Sequence, residues 1–310
     1  METNRKFLYK IARLYYFDNF TQEEISKKLG ISRSKVSRFL DKARAEKIIE
    51  IKLNYPEENY DKKETLIESK FGIRECIIVP SFDSQEEVFK NIAGELSMLL
   101  QRILKNGDYV GINWGNTLKE VVARLHFPKK ININVVPMMG GLGKIDTGMQ
   151  TNLIASNLAE KFGGISYQIH FPAFLDSKNL KEMISDDSNV REIFDLSDKI
   201  NTAILGMSAT TENSTLIRMG IFTIKDIAYL KSLGIVGDIN LNWVNSKGDF
   251  VPNDIFDRTL NIPFEKLRKI RNVIGIAFGN HKIKIIRALL LSRLINIFIT
   301  DQDTAKRLVR

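Results

Sequence analysis

The stretch G-I-N-W-G-N-T-L-K-E-V-V-A-R-L, residues 111–125, changes character in its middle. Its first residues complete an apolar strand candidate, Tyr109–Ile112, while Asn116 or Thr117 is placed to cap a following helix. Gly115, between the two, lets the backbone approach a ligand. The helix start beyond it attracts an anion such as a phosphate, because its first N–H groups have no partner within the helix.

Working outward, the same alternation recurs. Ile73–Val79, Ile131–Met138, Ala203–Met207, Ile235–Leu241, Val273–Phe278 and Ile295–Thr300 are further apolar strand candidates, and helical patterns follow most of them. Residues 85–104 read as a long helix with Val88, Ile92, Leu96, Leu99 and Leu100 inward. Continuous apolar strands alternating with helices predict an α/β domain with a mainly parallel sheet covered on both faces. Ligands in such sheets bind beyond the carboxyl ends of the strands. Those ends carry M-M-G-G-L-G-K (138–144), S-A-T-T-E-N-S (208–214) and G-N-H-K (279–282), as well as the loop at Gly115. The spacing of Gly140, Gly141 and Gly143 matches no nucleotide-binding pattern. Together the loops predict one polar, phosphate-friendly pocket.

The N-terminal part has a different pattern, centred on T-Q-E-E-I-S-K-K-L-G-I-S-R-S-K-V-S-R-F-L (21–40). Thr21 and Glu24 have capping-box spacing, Ile25 and Leu29 share a helix face, and Gly30 suits a left-handed turn. Ser32 caps a second helix whose apolar side is Val36, Phe39 and Leu40. Its other side presents Arg33, Ser34, Lys35, Ser37 and Arg38, residue types that reach base edges and phosphates. Two short helices joined by a tight glycine turn form a helix-turn-helix, whose second helix enters the major groove. Thr21, Gln22 and Ser32 join these five as DNA-binding candidates. Residues 7–17 predict a helix behind the motif, and I-I-E-I-K-L (48–53) a short strand that makes the domain winged. The competing reading is an αα-hairpin with no nucleic-acid role.

Charge supports the DNA reading. Residues 1–55 hold 13 Lys or Arg against 7 Asp or Glu, contributing +6 of the chain's net +9. Concentrated positive charge suits a polyanion. The hydrophilic bridge N-Y-P-E-E-N-Y-D-K-K (54–63) then reads as a linker, giving domains at 1–55 and 56–310. No apolar run reaches the roughly 18–20 residues that cross a bilayer, so no membrane partner is expected. A lone Cys76 and the absence of a secretory pattern at the N-terminus predict a cytoplasmic setting. The three histidines show no metal-ligand spacing, and there is no G-x-S-x-G nucleophile elbow. No metal or cofactor is expected.

These stretches resemble the SorC family of bacterial transcriptional regulators, which includes the deoxyribonucleoside and central glycolytic gene regulators. The resemblance runs in order through the helix-turn-helix, V-G-I-N-W-G-N-T-L, V-V-P-M-M-G-G, G-I-V-G-D-I-N, D-R-T-L and the tail V-I-G-I-A-F-G-N-H-K…I-N-I-F-I-T-D-Q-D-T-A. It implies an effector domain similar to ribose-phosphate isomerases and glucosamine-phosphate deaminases, and a homo-oligomer (dimer or tetramer) on operator DNA under control of a sugar or sugar phosphate. By the same resemblance, Asn113, Trp114, Gly115, Asn116 and Thr117 cradle the phosphate or its equivalent, Gly140 and Gly141 floor the pocket, and Asp238, Arg258 and Lys282 supply charged contacts. Two positions depart from the pattern. Met139 stands where the deoxyribonucleoside type has a lysine able to form a Schiff base, and N-W-G-N-T replaces a more hydroxyl-rich loop. The expectation is a DNA-binding regulator of carbohydrate utilisation, acting as a repressor and not an enzyme. The alternatives are a sugar-phosphate isomerase-like or deaminase-like enzyme, and a DNA-binding protein whose large domain only oligomerises.

Overall fold

The computed structural model describes residues 5–51, 60–142 and 150–310. The chain divides into two compact units, Met1–Glu58 and Asn59–Arg310. No helix among the described residues is long and apolar enough to cross a membrane.

The described residues of the first unit form three helices, Arg5–Tyr16, Gln22–Leu29 and Arg33–Ala45. The capping box forms: the Thr21 backbone N–H donates to Glu24 Oε2 at 2.7 Å, and the Glu24 N–H donates to Thr21 Oγ1 at 3.2 Å. Gly30 ends that helix with φ 66°, a left-handed conformation that glycine adopts without a Cβ clash. Ile11, Leu14, Ile25, Val36 and Leu40 then meet in a small core, with Phe7, Phe20 and Phe39 packed on it. The expected wing is not a strand over residues 48–51, where a bend at 48–49 is followed by irregular backbone, and its last two residues lie outside the described residues. Of the expected linker, residues 54–59 also lie outside them, while Asp61 already begins the helix Asp61–Phe71.

Among the described residues the second unit has nine strands: β1 (Glu75–Val79), β2 (Tyr109–Ile112), β3 (Asn134–Pro137), β4 (Ile165–Ser166), β5 (Ile200–Ala209), β6 (Ile235–Ile239), β7 (Asn242–Asn245), β8 (Asn272–Ile276) and β9 (Ile297–Asp301). The order β1-β9-β8-β5-β2-β3-β4 is parallel throughout. Both faces are covered. Ala203, Leu205, Val273 and Phe298 pack into one apolar core, and their neighbours Ile204, Ile274, Ile297 and Ile299 pack into the other. Such strands read as unbroken apolar runs because neither face meets water. The long helix, Gln85–Ile103, buries Val88, Ile92, Leu96, Leu99 and Leu100 as its spacing required. At the sheet edge, Glu64 and Glu68 of the helix Asp61–Phe71 accept from the Ile78 and Cys76 N–H groups at 2.8 and 2.9 Å. Those carboxylates occupy donors that an open edge would offer to another strand.

One element departs from the parallel expectation. β6 runs antiparallel to the last residues of β5, with Met207 opposite Ile239, and turns through Asn240 and Leu241 into β7. Both turn residues have positive φ, 53° and 57°. Ten-residue β5 therefore serves two pairings: Thr202–Gly206 lie beside β8, and Met207–Ala209 beside β6.

Candidate functional site

A cavity of about 550 Å³ opens at the carboxyl ends of β2, β5 and β8. Asn113–Leu118 line it after β2, and Gly206–Ala209 line it from β5. Phe278, His281 and Lys282 follow β8, and Asp238 projects from β6. Gln85 and Phe89 of the helix Gln85–Ile103, with Thr211, Asn213, Ser214, Thr215 and Arg218, complete the wall.

Local geometry shapes each loop. Asn113 is buried and bonds to Gly206 through both amide atoms, fixing the loop after β2 to β5. Gly115 has φ 127°, and the helix Asn116–Arg124 begins directly after it with no side-chain cap. Its first intrahelical bond is Lys119 N–H to Gly115 O at 3.0 Å, so the preceding N–H groups are the anion-attracting end of the helix. Gly279 has φ 100°, and its N–H donates to Thr304 Oγ1 at 2.8 Å. The short turn Asn280–Lys282 then leads into the helix Ile283–Leu291.

The charged groups are shifted by burial. Burial pushes the Asp238 carboxyl up to about 7, opposed by the Leu241 N–H, which donates to Oδ2 at 3.0 Å, and by Lys282. Burial pushes the Lys282 ammonium down to about 8, opposed by Asp238. The two influence each other across the cavity without forming a hydrogen bond or ion pair. His281 is also lowered, first by burial and then by Lys282 and Arg218. The cavity therefore joins a helix N-terminus and three basic side chains to a single carboxyl group. That combination suits an anionic, hydroxyl-rich molecule.

Asn113, Trp114, Gly115, Asn116, Thr117, Asp238 and Lys282 all line this cavity. Gly140, Gly141 and Arg258 do not. The Gly140 N–H donates to Leu260 O at 3.0 Å, and a Cβ there would meet Ala173 N at 2.6 Å, so its small size serves backbone packing. The Gly141 N–H donates to Phe171 O at 2.8 Å. Arg258 Nη1 donates to Leu175 O at 3.0 Å, which ties the guanidinium to a loop. Met139 is wholly buried in the cluster that holds Trp114 and Trp243. Gly143 and Lys144 lie outside the described residues. His170 is exposed and away from the cavity, and the His126 N–H is bonded to Ser97 Oγ at 3.2 Å. The sequence does not mark Gln85, Phe89 and Arg218, because none of them lies in a glycine-rich loop at a strand end; only Arg218 bears a charge that draws notice.

On the first unit, Arg33, Ser34, Lys35 and Arg38 are exposed and Ser37 is partly so. Ser32 accepts from the Lys35 N–H at 3.4 Å and Thr21 is engaged in its own cap, so both position helices. Gln22 is half-buried at the start of the helix Gln22–Leu29. Arg33, Lys35 and Arg38 have no ion-pair partner among the described residues.

Comparison with known proteins gives consistent matches. The sugar-binding domain family matches residues 55–310, and the sigma-70 region 4 family matches residues 10–46. The deoxyribonucleoside regulator of Bacillus subtilis is 29% identical over 305 residues, covering 96% of this chain and 95% of its own. The sorbitol operon regulator of Klebsiella pneumoniae is 28% identical over 308 residues, covering 98% of both chains. The crystal structure of that full-length regulator, SorC, superposes with a TM-score of 0.77 over 100% of each chain, at 28% identity.

Proposed function

This chain belongs to the sugar-binding domain family, as a regulator of the SorC type, and on that premise we propose that it is a DNA-binding transcriptional regulator of a carbohydrate-utilisation operon. Residues 1–55 read the operator through Arg33, Lys35 and Arg38, and residues 56–310 bind a sugar or sugar phosphate and assemble a homo-oligomer in the cytoplasm. It acts as a repressor. A symmetric assembly sets two recognition helices about one helical turn apart, or a multiple of it, so the operator should carry paired half-sites.

The observation that carries the reading is the cavity at the strand ends, where Thr117 on an uncapped helix start, Lys282 and Asp238 converge. The helix N-terminus and Lys282 suit a phosphate, while Asp238, Asn116 and the hydroxyls of Ser208 and Thr211 suit sugar hydroxyls. Binding changes DNA affinity only as far as the effector prefers one arrangement of the oligomer. The matched relatives are named as regulators rather than enzymes.

A thermal-shift screen of the full chain against free and phosphorylated pentoses, hexoses and polyols tests this. One compound should raise Tm, since a ligand that binds only the folded state stabilises it. Thr117→Ala and Lys282→Ala should weaken that shift and leave operator binding intact, and Arg33→Ala should do the reverse. A cooperatively melting protein that shifts with none of them contradicts the sugar pocket.

A further inference from the structure

At the end of the sheet opposite the cavity, arginines stand before three adjacent strands. Arg74 precedes β1, Arg293 lies shortly before β9, and Arg271 precedes β8, in the order in which these strands pair. Backbone bonds hold them as one surface. The Arg74 N–H donates to Asn296 O at 2.9 Å, and Asn296 Nδ2 donates to Arg271 O at 2.8 Å. Arg74 Nη2 reaches Asn272 Oδ1 at 2.9 Å, and Arg268 Nη1 reaches Ser292 O at 3.4 Å. The Arg293 guanidinium lies against Gly72, 3.2 Å from where a Cβ there would stand.

All four arginines are exposed, and none has a carboxylate within ion-pair distance among the described residues. Two nearby carboxylates are already engaged, Glu75 with Arg102 at 2.6 Å and Asp198 with Lys266 at 2.8 Å, while Glu265, three residues before Arg268, forms no ion pair with it. Arg293 also holds φ 55°, a conformation unfavourable for a side chain with a Cβ. Strands lie about 4.8 Å apart, so arginines before three neighbours spread over about 10 Å. Duplex DNA offers one phosphate charge per about 1.7 Å of axis, so several phosphates fit opposite that span. Guanidinium matches the fork of phosphate oxygens better than an ammonium does.

We propose that Arg74, Arg268, Arg271 and Arg293 form a second DNA-backbone-binding face, carried by the unit Asn59–Arg310 and independent of base sequence. It rests on the DNA-binding reading above, because a chain held on an operator meets neighbouring phosphates at high local concentration.

The test is the salt dependence of full-chain binding to a random-sequence duplex several helical turns long, followed by fluorescence anisotropy. Removing one phosphate-binding side chain lowers the slope of log affinity against log salt by about 0.9, so Arg271→Ala with Arg293→Gly should lower it by about two. The glycine suits the positive φ at position 293, and an unchanged Tm and effector shift show that the fold is intact. Arg271→Lys with Arg293→Lys should keep most of the slope. An unchanged slope in the first double variant, with wild type binding normally and Arg33→Ala lowering its own share, overturns the second face alone and leaves an acidic polypeptide as the partner to try. A wild type that binds no duplex overturns both readings.

Discussion

The Asn113 side chain and the Gly206 backbone exchange two hydrogen bonds: Nδ2 donates to Gly206 O at 3.1 Å, and Oδ1 accepts from the Gly206 N–H at 2.9 Å. Asn113 thus continues the β2–β5 pairing one residue past the end of β2, with its amide in place of a backbone partner. The loop carrying Trp114, Gly115 and Asn116 hangs from that anchor. Asn113→Ala leaves both Gly206 groups without this partner, at a cost of about 1–3 kcal/mol. At about 2–4 °C per kcal/mol for a unit of this size, Tm should fall by several degrees and the effector shift should shrink. Asn113→Asp should be at least as damaging, because a carboxylate cannot donate to Gly206 O. Unchanged melting of the alanine variant would show that water replaces the amide.

Much of this was legible in the sequence, for identifiable reasons. Ile274 and Phe298 sit in unbroken apolar runs because the sheet is covered on both faces, and few other environments produce such runs. Thr21, Gly30 and Ser32 are each tied to one backbone geometry, so they mark helix ends directly. The β6–β7 hairpin was hidden because its turn residues, Asn240 and Leu241, lack the Asn-Gly signal, and leucine rarely adopts φ 57°. Arg218 and Gln85 reach the cavity only because the fold brings distant segments over it. Gly140 shows the limit of reading glycines: sequence cannot separate close approach to a ligand from close approach to the chain itself.

That difference can be measured. A Cβ on Gly140 would lie 2.6 Å from Ala173 N and 2.7 Å from Pro172 O, backbone atoms that cannot rotate away. On Gly141 the nearest atom would be Phe171 O, 3.8 Å away, an ordinary van der Waals separation. Gly140→Ala should therefore cost about 1–3 kcal/mol in chemical denaturation, as overpacking does, while Gly141→Ala stays close to wild type. Equal losses in the two variants would show that the Pro172–Ala173 segment moves aside or that both glycines serve another need.

The cavity charges predict a pH profile with two limbs. Asp238, ordinarily near 3.8, is held at about 7 by burial, so between those values the folded chain binds its proton more tightly than the unfolded chain. Stability then falls as pH rises through that window. Lys282, ordinarily near 10.5, is held at about 8, so the unfolded chain binds its proton more tightly between those values, and stability rises with pH there. Near pH 7–8 both groups carry much of their burial penalty, with Arg218 adding positive charge to the same wall. The contribution of this pair to Tm should therefore be least in that interval. Asp238→Asn, which keeps an oxygen for the Leu241 N–H, should remove the lower limb, and Lys282→Met the upper one. Both should raise the stability of the ligand-free protein near pH 7.5 while weakening effector binding, the trade expected where binding groups are buried in advance of their ligand. Affinity for a phosphorylated sugar should also decline as pH rises through about 8, where Lys282 loses its charge. Thermal unfolding of wild type and both variants from acid to alkaline pH checks each limb separately. Limbs that persist in both variants would place the titrating groups elsewhere in the molecule.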